Sequence, residues 1–251
     1  MQMDHWRPPV PYTTEGNDGV EPLSSAALLA RMLQFGDSMF PIGSFSFSCG
    51  LESAIQKRVV VDPATLHAFT RTAVEQAARG DGIALIAAHR AAISGDVDEL
   101  VRIDALVHAR KLSDEARTMS VRMGKKFTEM GVQIVGAPLL SRWLECIEMS
   151  IAPGCFPVAL AINFALQYLS ARQAFVVHQY GIAATILGSA LRLMKISHVE
   201  TQKILYDLNA LTEAAYKSAS GAPLSDMAGY APLTEILAAV HTKAHVRLFM
   251  T

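Results

Sequence analysis

The sequence has little charge. Asp, Glu, Lys and Arg make up 18% of its 251 residues, against about 25% in an average soluble protein. The 22 basic and 23 acidic residues give a formal net charge of −1, so no overall field draws the chain onto nucleic acid or anionic lipid. A nucleic-acid-binding protein is therefore disfavoured. The 51% of hydrophobic residues leaves two explanations: the chain enters a membrane, or it buries apolar surface against other protein subunits.

Cysteine is scarce and no targeting segment is evident. Cys49, Cys146 and Cys155 form no CxxC pair, which favours a reducing compartment over a disulfide scaffold. Residues 1–22 contain no apolar run of the length that a signal peptide needs. We predict a disordered N-terminal tail over 1–22, followed by one folded domain over 23–251.

Motifs of known catalytic sites are also missing. The sequence has no P-loop, no GxGxxG, no GxSxG and no HExxH, which argues against the corresponding nucleotide-binding and hydrolytic enzymes. His241 and His245 have the i, i+4 spacing of two metal ligands, but a pair does not complete a site, and solvated or hydrogen-bonded histidines are favoured. We therefore predict no catalytic residue, no cofactor and no metal site.

Helical periodicity runs through most of the chain, and no alternating pattern is long enough for a sheet. Ser113 is a predicted N-cap, and Pro63 a predicted first helical residue. The pattern predicts an all-α, single compact domain of about nine or ten helices. Among them are helices over 113–130, 157–169, 172–193, 197–217 and 233–245.

Two uncharged stretches, 149–171 and 173–191, are nominally long enough to cross a bilayer. Each contains polar side chains, Asn163 in the first and His178 in the second, that would cost several kcal/mol in lipid unless neighbours satisfied them. Buried core helices are favoured, and a transmembrane hairpin is the alternative.

Two segments have the composition of interaction sites. In segment 40–52, Pro41 fixes φ, Gly43 and Gly50 permit unusual backbone conformations, and Phe45 supplies an aromatic anchor. This segment is either a partner-binding loop or a well-packed helix connection. At the C-terminus, residues 247–249 (Arg-Leu-Phe) either pack on the protein's own surface or are reserved for a partner. We favour ordering against segment 40–52 when a partner binds.

Three regions of the sequence contain motifs of fixed spacing. Residues 33–38 and 40–52 fit the patterns L-Q-x-x-D-S and P-[IV]-G-[GS]-[FY]-x-x-S-x-G-L-E. Residues 115–124 fit E-x-R-x-x-S-x-x-x-G, and 241–251 resemble a closing H-E-x-x-x-x-R-L-[FY]-x-S. In these motifs the sequence resembles the urease accessory protein UreF family, with a weaker match that begins at Arg192. The order and spacing of the motifs agree from residue 33 to residue 251.

The sequence departs from this family at four positions. Phe47 and Cys155 stand where many members have His, Thr242 stands where Glu is usual, and Thr251 replaces a terminal Ser. Roles in metal handling that depend on those polar groups therefore do not transfer.

The resemblance implies a dimeric, cytoplasmic adaptor that is not an enzyme. Such an adaptor binds the accessory protein UreD/UreH, and the pair recruits the GTPase UreG. The assembly then docks on the urease apoprotein so that nickel is delivered. The alternative function is a membrane helical-hairpin protein that moves nickel or another small solute.

The family motifs also indicate the predicted partner-binding residues. For Arg192, a structural or partner-binding role is favoured over stimulation of the GTPase. Glu115 and Arg117 contact a partner or the dimer mate, or else belong to an exposed helix face. The full predicted set is Pro41, Gly43, Phe45, Ser48, Gly50, Leu51, Glu52, Glu115, Arg117, Arg192, His241, Arg247, Leu248 and Phe249.

Overall fold

In the computed structural model, residues 24–228 and residue 249 are described, and they form an all-α fold with no strand in that part of the chain. Ten of its α-helices have at least ten residues, which agrees with the expected number, and one short helix has six. The helices are α1 Ser25–Gly36, α2 Leu51–Gln56, α3 Pro63–Arg79, α4 Asp81–Ser94, α5 Val97–Arg110, α6 Asp114–Ile134, α7 Pro138–Glu148, α8 Phe156–Leu166, α9 Ala171–Leu193, α10 His198–Asn209 and α11 Thr212–Gly221.

The helices begin where the sequence places capping residues. Ser113 accepts a hydrogen bond from the backbone N–H of Ala116 at the start of α6, as its position predicted. Pro63 occupies the first turn of α3, and Asp62 and Thr65 there form a reciprocal capping box. These local signals mark the starts of both helices in the sequence.

The single helix predicted over 197–217 is wrong, because the structure has two helices there. Helix α10 ends at Asn209 and α11 begins at Thr212. The break redirects the chain: α10 packs on α9 and α3, whereas α11 also reaches α4. Apolar residues continue through the break, so the periodicity alone did not reveal it. The helix predicted over 233–245 lies outside the described residues.

Helices α4, α6 and α8 pack closely around the centre of the main core. Gly124 of α6 lies against the backbone carbonyl of Gly154, and Gly131 of the same helix lies against the side chain of Asn163. A Cβ at either glycine would collide with these neighbours. Most residues of α8 are fully buried, which confirms that the first uncharged stretch contributes core.

A buried carboxylate fastens the chain that leads into α8. Asp104 of α5 accepts hydrogen bonds from the backbone N–H groups of Gly154 (2.6 Å) and Cys155 (2.8 Å). Burial raises the pKa of the Asp104 carboxyl to about 6, although these N–H donors favour its charged form. The contact holds the residues before α8 in register with α5.

The two uncharged stretches form helices of different lengths. By length and composition alone α9 could cross a membrane, and half of its most apolar window is buried inside the fold. Helix α8 has 11 residues, or about 16 Å of helix against a hydrocarbon core of about 30 Å. Two membrane-spanning helices are therefore not formed by the stretches that suggested a hairpin.

Candidate interaction surface

Segment 40–52 folds as a tight turn followed by α2. Residues Ser44–Ser46 form a single 3₁₀ turn, with Gly43 before it at φ 77°. Gly50 precedes α2 at φ 79°. Both glycines occupy the left-handed region that other residues rarely adopt. Their role is thus to shape the segment.

Helix α9 holds this segment through two side chains one turn apart. Ser189 Oγ donates to the carbonyl oxygen of Phe47 at 3.1 Å, and Arg192 Nη2 donates to the carbonyl oxygen of Phe45 at 2.9 Å. The two phenylalanines point to opposite environments. Phe47 is buried, whereas 68% of Phe45 is exposed. The segment is both a packed connection and an exposed aromatic feature.

Phe249 lies against the same place from the other end of the chain. Its ring centroid is 4.1 Å from Arg192 Cζ, a cation–π contact. Its backbone N–H donates to Glu52 Oε2 at 3.3 Å, and the residue is buried. We call Phe45, Phe47, Glu52, Ser189, Arg192 and Phe249 the Arg192 junction.

The junction joins four of the predicted partner-binding residues, Phe45, Glu52, Arg192 and Phe249. Phe249 contacts Glu52 of segment 40–52 within the single chain, whereas the prediction had this contact form when a partner binds; the dependence on a partner stays a prediction. His241, Arg247 and Leu248 lie outside the described residues.

The predicted partner-binding residues in segment 40–52 and at the end of α9 differ in burial. Ser48, Gly50 and Leu51 are buried, and Glu52 is only 3% exposed. Pro41, Phe45 and Arg192 are exposed. The buried residues set the backbone, so the exposed three are the ones that a partner can reach.

The motif at residues 115–124 contributes mainly to packing inside the fold. Glu115 is buried, so the expectation of an exposed helix face fails for it. Arg117 forms an ion pair with exposed Asp114 at 2.7 Å. Ser120 accepts a hydrogen bond from the backbone N–H of Phe156 at 3.2 Å, and Gly124 permits the close approach described above. Ser120 and Gly124 are therefore spaced so that both contact the chain at the start of α8.

A cavity of about 530 Å³ lies next to segment 40–52. Its lining includes a partly buried polar cluster that sequence reasoning missed. Lys111 Nζ contacts both carboxylate oxygens of Asp81 at 3.0 and 2.8 Å, and His178 Nε2 lies 3.8 Å from Asp81 Oδ2. Asp81 begins α4, Lys111 directly follows α5 and His178 lies in α9, and no local motif connects them.

The charge states within this cluster follow from burial and proximity. Burial lowers the pKa of His178 to about 4, despite the opposing attraction of Asp81. Burial also acts to raise the pKa of Asp81, but Lys111 and His178 outweigh it, and the net shift is downward. Near neutral pH the cluster is a Lys111–Asp81 ion pair beside a neutral imidazole.

The described residues contain no group of three or more His, Cys, Asp or Glu side chains that could hold a metal ion. Burial raises the pKa of Cys49 to about 12 and moves the pKa of Cys155 upward as well, so both are thiols at neutral pH. His241 and His245 lie outside the described residues. The described residues thus define an all-α protein in which segment 40–52, the end of α9 and Phe249 meet at the Arg192 junction.

Comparison with known proteins agrees with this class. The family model UreF matches residues 60–209. The chain is 52% identical over 222 residues to urease accessory protein UreF 2 of Brucella canis. The matched region covers 88% of this chain and 91% of that protein. It is also 48% identical over 225 residues to urease accessory protein UreF of Yersinia pseudotuberculosis, and this match covers 90% of the chain and 99% of that protein. The chain belongs to the UreF family.

Proposed function

We propose that the protein is a urease maturation adaptor that catalyses no reaction itself. It joins the UreD/UreH accessory protein to the GTPase UreG and supports GTP-dependent nickel insertion into the urease apoprotein. Family membership supports the connection to urease, because the relatives carry the name urease accessory protein.

The observation that carries the proposal is the Arg192 junction. Its members come from segment 40–52, from the C-terminal end of α9 and from Phe249, and two of its contacts join residues 147 and 197 positions apart in sequence. It presents an exposed aromatic ring beside an arginine. Aromatic and arginine side chains supply much of the binding energy at protein interfaces. This surface is therefore the proposed docking site for UreD/UreH.

A homodimer in the cytoplasm is part of the same proposal. Outside the junction, α10 exposes the apolar side chains of Val199 and Tyr206, and α1 exposes those of Leu29 and Leu33. Such surface supports additional protein contacts. It also fits a composition that is low in charge for a single chain.

A structural role for Arg192 is preferred over stimulation of the GTPase. Its guanidinium already donates to Phe45 and lies over Phe249. An arginine that reaches into another protein's active site has to leave such contacts. Loss of stimulated GTP hydrolysis in Arg192→Ala, with the complex still assembled, would overturn this preference.

Co-purification tests the adaptor. The chain is co-expressed with UreD/UreH and UreG, and capture is compared between wild type, Phe45→Ala and a control, Met149→Ala, which removes another exposed apolar side chain. We expect Phe45→Ala to weaken UreD/UreH binding about tenfold, a typical interface effect for an aromatic anchor. The control should bind normally, and UreG should be captured only when UreD/UreH is present.

Two outcomes would contradict the proposal. Failure of the wild-type chain to bind UreD/UreH would reject the adaptor function. Normal binding by Phe45→Ala would reject this surface while leaving the adaptor function in place.

A further inference from the structure

The cavity next to segment 40–52 has the size and the lining of a small-molecule site. Its volume is about 530 Å³, and ligand sites in proteins are typically clefts of about 300–1,000 Å³ with apolar walls and a few polar groups. Side chains from α1, segment 40–52, α6, α9 and α10 line it, and most of them are apolar. The polar groups at its Asp81 end therefore decide which ligand it accepts.

His178 contributes one hydrogen-bond donor to this polar end. Its side chain is 2% exposed, and Gln179 Nε2 lies 3.3 Å from its Nδ1. The Asp81 carboxylate on the Nε2 side favours the tautomer that carries its proton on Nε2, in which Nδ1 accepts from Gln179. Among the described residues, Nε2 has no partner within hydrogen-bonding distance, since Asp81 Oδ2 is 3.8 Å away. A buried donor of this kind favours a ligand that brings an acceptor.

Asp81 contributes an acceptor beside that donor. Lys111 Nζ contacts both of its carboxylate oxygens, and each carboxylate oxygen can accept a second hydrogen bond. A ligand oxygen placed about 2.8 Å from both His178 Nε2 and Asp81 Oδ2 fits the 3.8 Å between these two atoms. We propose that the cavity binds a small neutral molecule with an apolar body and a hydroxyl group, and that this hydroxyl accepts from His178 Nε2 and donates to Asp81 Oδ2.

The walls near His178 suit an apolar ligand body. The Phe156 ring is stacked on the His178 imidazole, with 6.2 Å between the ring centroids. Met119 and Met123 also line the cavity, and their flexible thioethers adapt to ligands of different shape and contact aromatic rings favourably. An aromatic body therefore finds an aromatic wall on one side and adaptable side chains on another.

Two glycines of α9 leave room for that body. Gly181 and Gly188 line the cavity, and nothing lies within 4 Å of a Cβ at either position. A large side chain at Gly188 can therefore enter the cavity without a collision in the fold, and it would occupy space that a ligand needs.

The charges at the polar end favour a neutral ligand. Near neutral pH the Lys111 and Asp81 charges cancel, and His178 is neutral because burial lowers its pKa to about 4. A carboxylate ligand would lie against Asp81, and an ammonium ligand would lie against Lys111. A neutral hydroxyl meets neither repulsion.

Ligand binding to the full chain alone tests the proposal, so the outcome does not depend on UreD/UreH or UreG. The probes are phenol, toluene, which has a methyl group in place of the hydroxyl, and benzoate, which is an anion. Saturation-transfer NMR titrations give the dissociation constant of each. Phenol should bind saturably and about tenfold more tightly than toluene, because a hydrogen bond to a charged group contributes about that factor. Benzoate should bind no more tightly than toluene.

Two variants locate the ligand. His178→Phe keeps a ring against Phe156 and removes the Nε2 donor, so phenol should lose its preference over toluene. Gly188→Leu should abolish saturable binding of both molecules. Gly221→Leu in α11 is the matched control, because nothing lies within 4 Å of a Cβ there either and the described lining of the cavity does not include it. It should bind phenol and toluene as the wild type does.

Several results would overturn the proposal. They are the absence of saturable phenol binding, equal affinity for phenol and toluene, and an unchanged preference for phenol in His178→Phe. Phenol binding retained by Gly188→Leu would place the ligand outside this cavity, and benzoate binding tighter than that of phenol would reject a neutral ligand. If circular dichroism shows that Gly188→Leu is unfolded, Gly181→Leu replaces it, with the same expected loss of binding.

Discussion

The centre of the fold and the Arg192 junction are stabilised in different ways. Helix α6 approaches α8 and the residues before it closely because Gly124 and Gly131 lack side chains at the contact, so the centre depends on complementary shape. The junction instead uses individual contacts from Ser189, Arg192 and Glu52. A close-packed centre tolerates few changes, whereas a junction built from separate contacts can be altered one contact at a time without unfolding the protein.

The largest expected effect is at the centre. Gly124→Ala would drive a Cβ into the backbone carbonyl of Gly154, which cannot rotate away. We expect a loss of about 3 kcal/mol in the free energy of unfolding, measured by urea denaturation. Gly181→Ala is the control, since nothing lies within 4 Å of a Cβ there. It should stabilise α9 by about 0.5–1 kcal/mol; an equal loss in both variants would contradict the comparison.

The second-largest expected effect is a pH dependence of the free energy of unfolding, caused by His178, which lines the cavity. Burial lowers its pKa from 6.5 to about 4 in the fold. In the unfolded chain it takes up a proton near pH 6.5, so its contribution to stability is present above that pH and is lost as the pH falls towards 4. Between pH 7 and 5 the wild type should lose about 2 kcal/mol through this residue.

The variant His178→Gln isolates this contribution. Its free energy of unfolding, measured by urea denaturation at pH 7, 6 and 5, should fall less steeply than that of the wild type. The difference between the two proteins removes other titrations, including Asp104, whose raised pKa makes folding more favourable as the pH falls through about 6. Parallel curves for both proteins would show that His178 is not a buried neutral imidazole.

The smallest effect on stability is expected at the junction's exposed ring. Phe45 is 68% exposed, so Phe45→Ala should change the free energy of unfolding by less than about 0.5 kcal/mol. The same variant should weaken UreD/UreH binding about tenfold, so the junction would contribute to binding and the centre to stability. A loss of stability as large as that of Gly124→Ala would erase the distinction.

Much of the fold followed from the sequence because its signals are local. Capping by Ser113 and the proline at the start of α3 fixed helix starts within a residue or two. The break between α10 and α11 was missed because it depends on which helices each half packs against. An apolar pattern indicates that one face of a helix is buried, but it does not indicate which other helix packs against that face.

The site was predictable only in part, for a related reason. Phe45, Glu52, Arg192 and Phe249 were found through motifs that lie along the chain. Ser189 gave no signal, since a serine in an apolar helix commonly donates to its own helix backbone. Here its single hydroxyl proton is shared between the carbonyl oxygens of Thr185 and Phe47. The cluster joins Asp81 of α4, His178 of α9 and Lys111 just after α5, so its existence depends on tertiary structure.

The contact between Phe249 and Glu52 spans 197 residues of chain. Closing so long a loop is entropically unfavourable until the intervening helices have packed. Phe249 should therefore reach its place late in folding, after α2 and α9 are already side by side. Phe249 is then in place only in chains whose folding is complete. A docking partner that required Phe249 would therefore not bind incompletely folded chains.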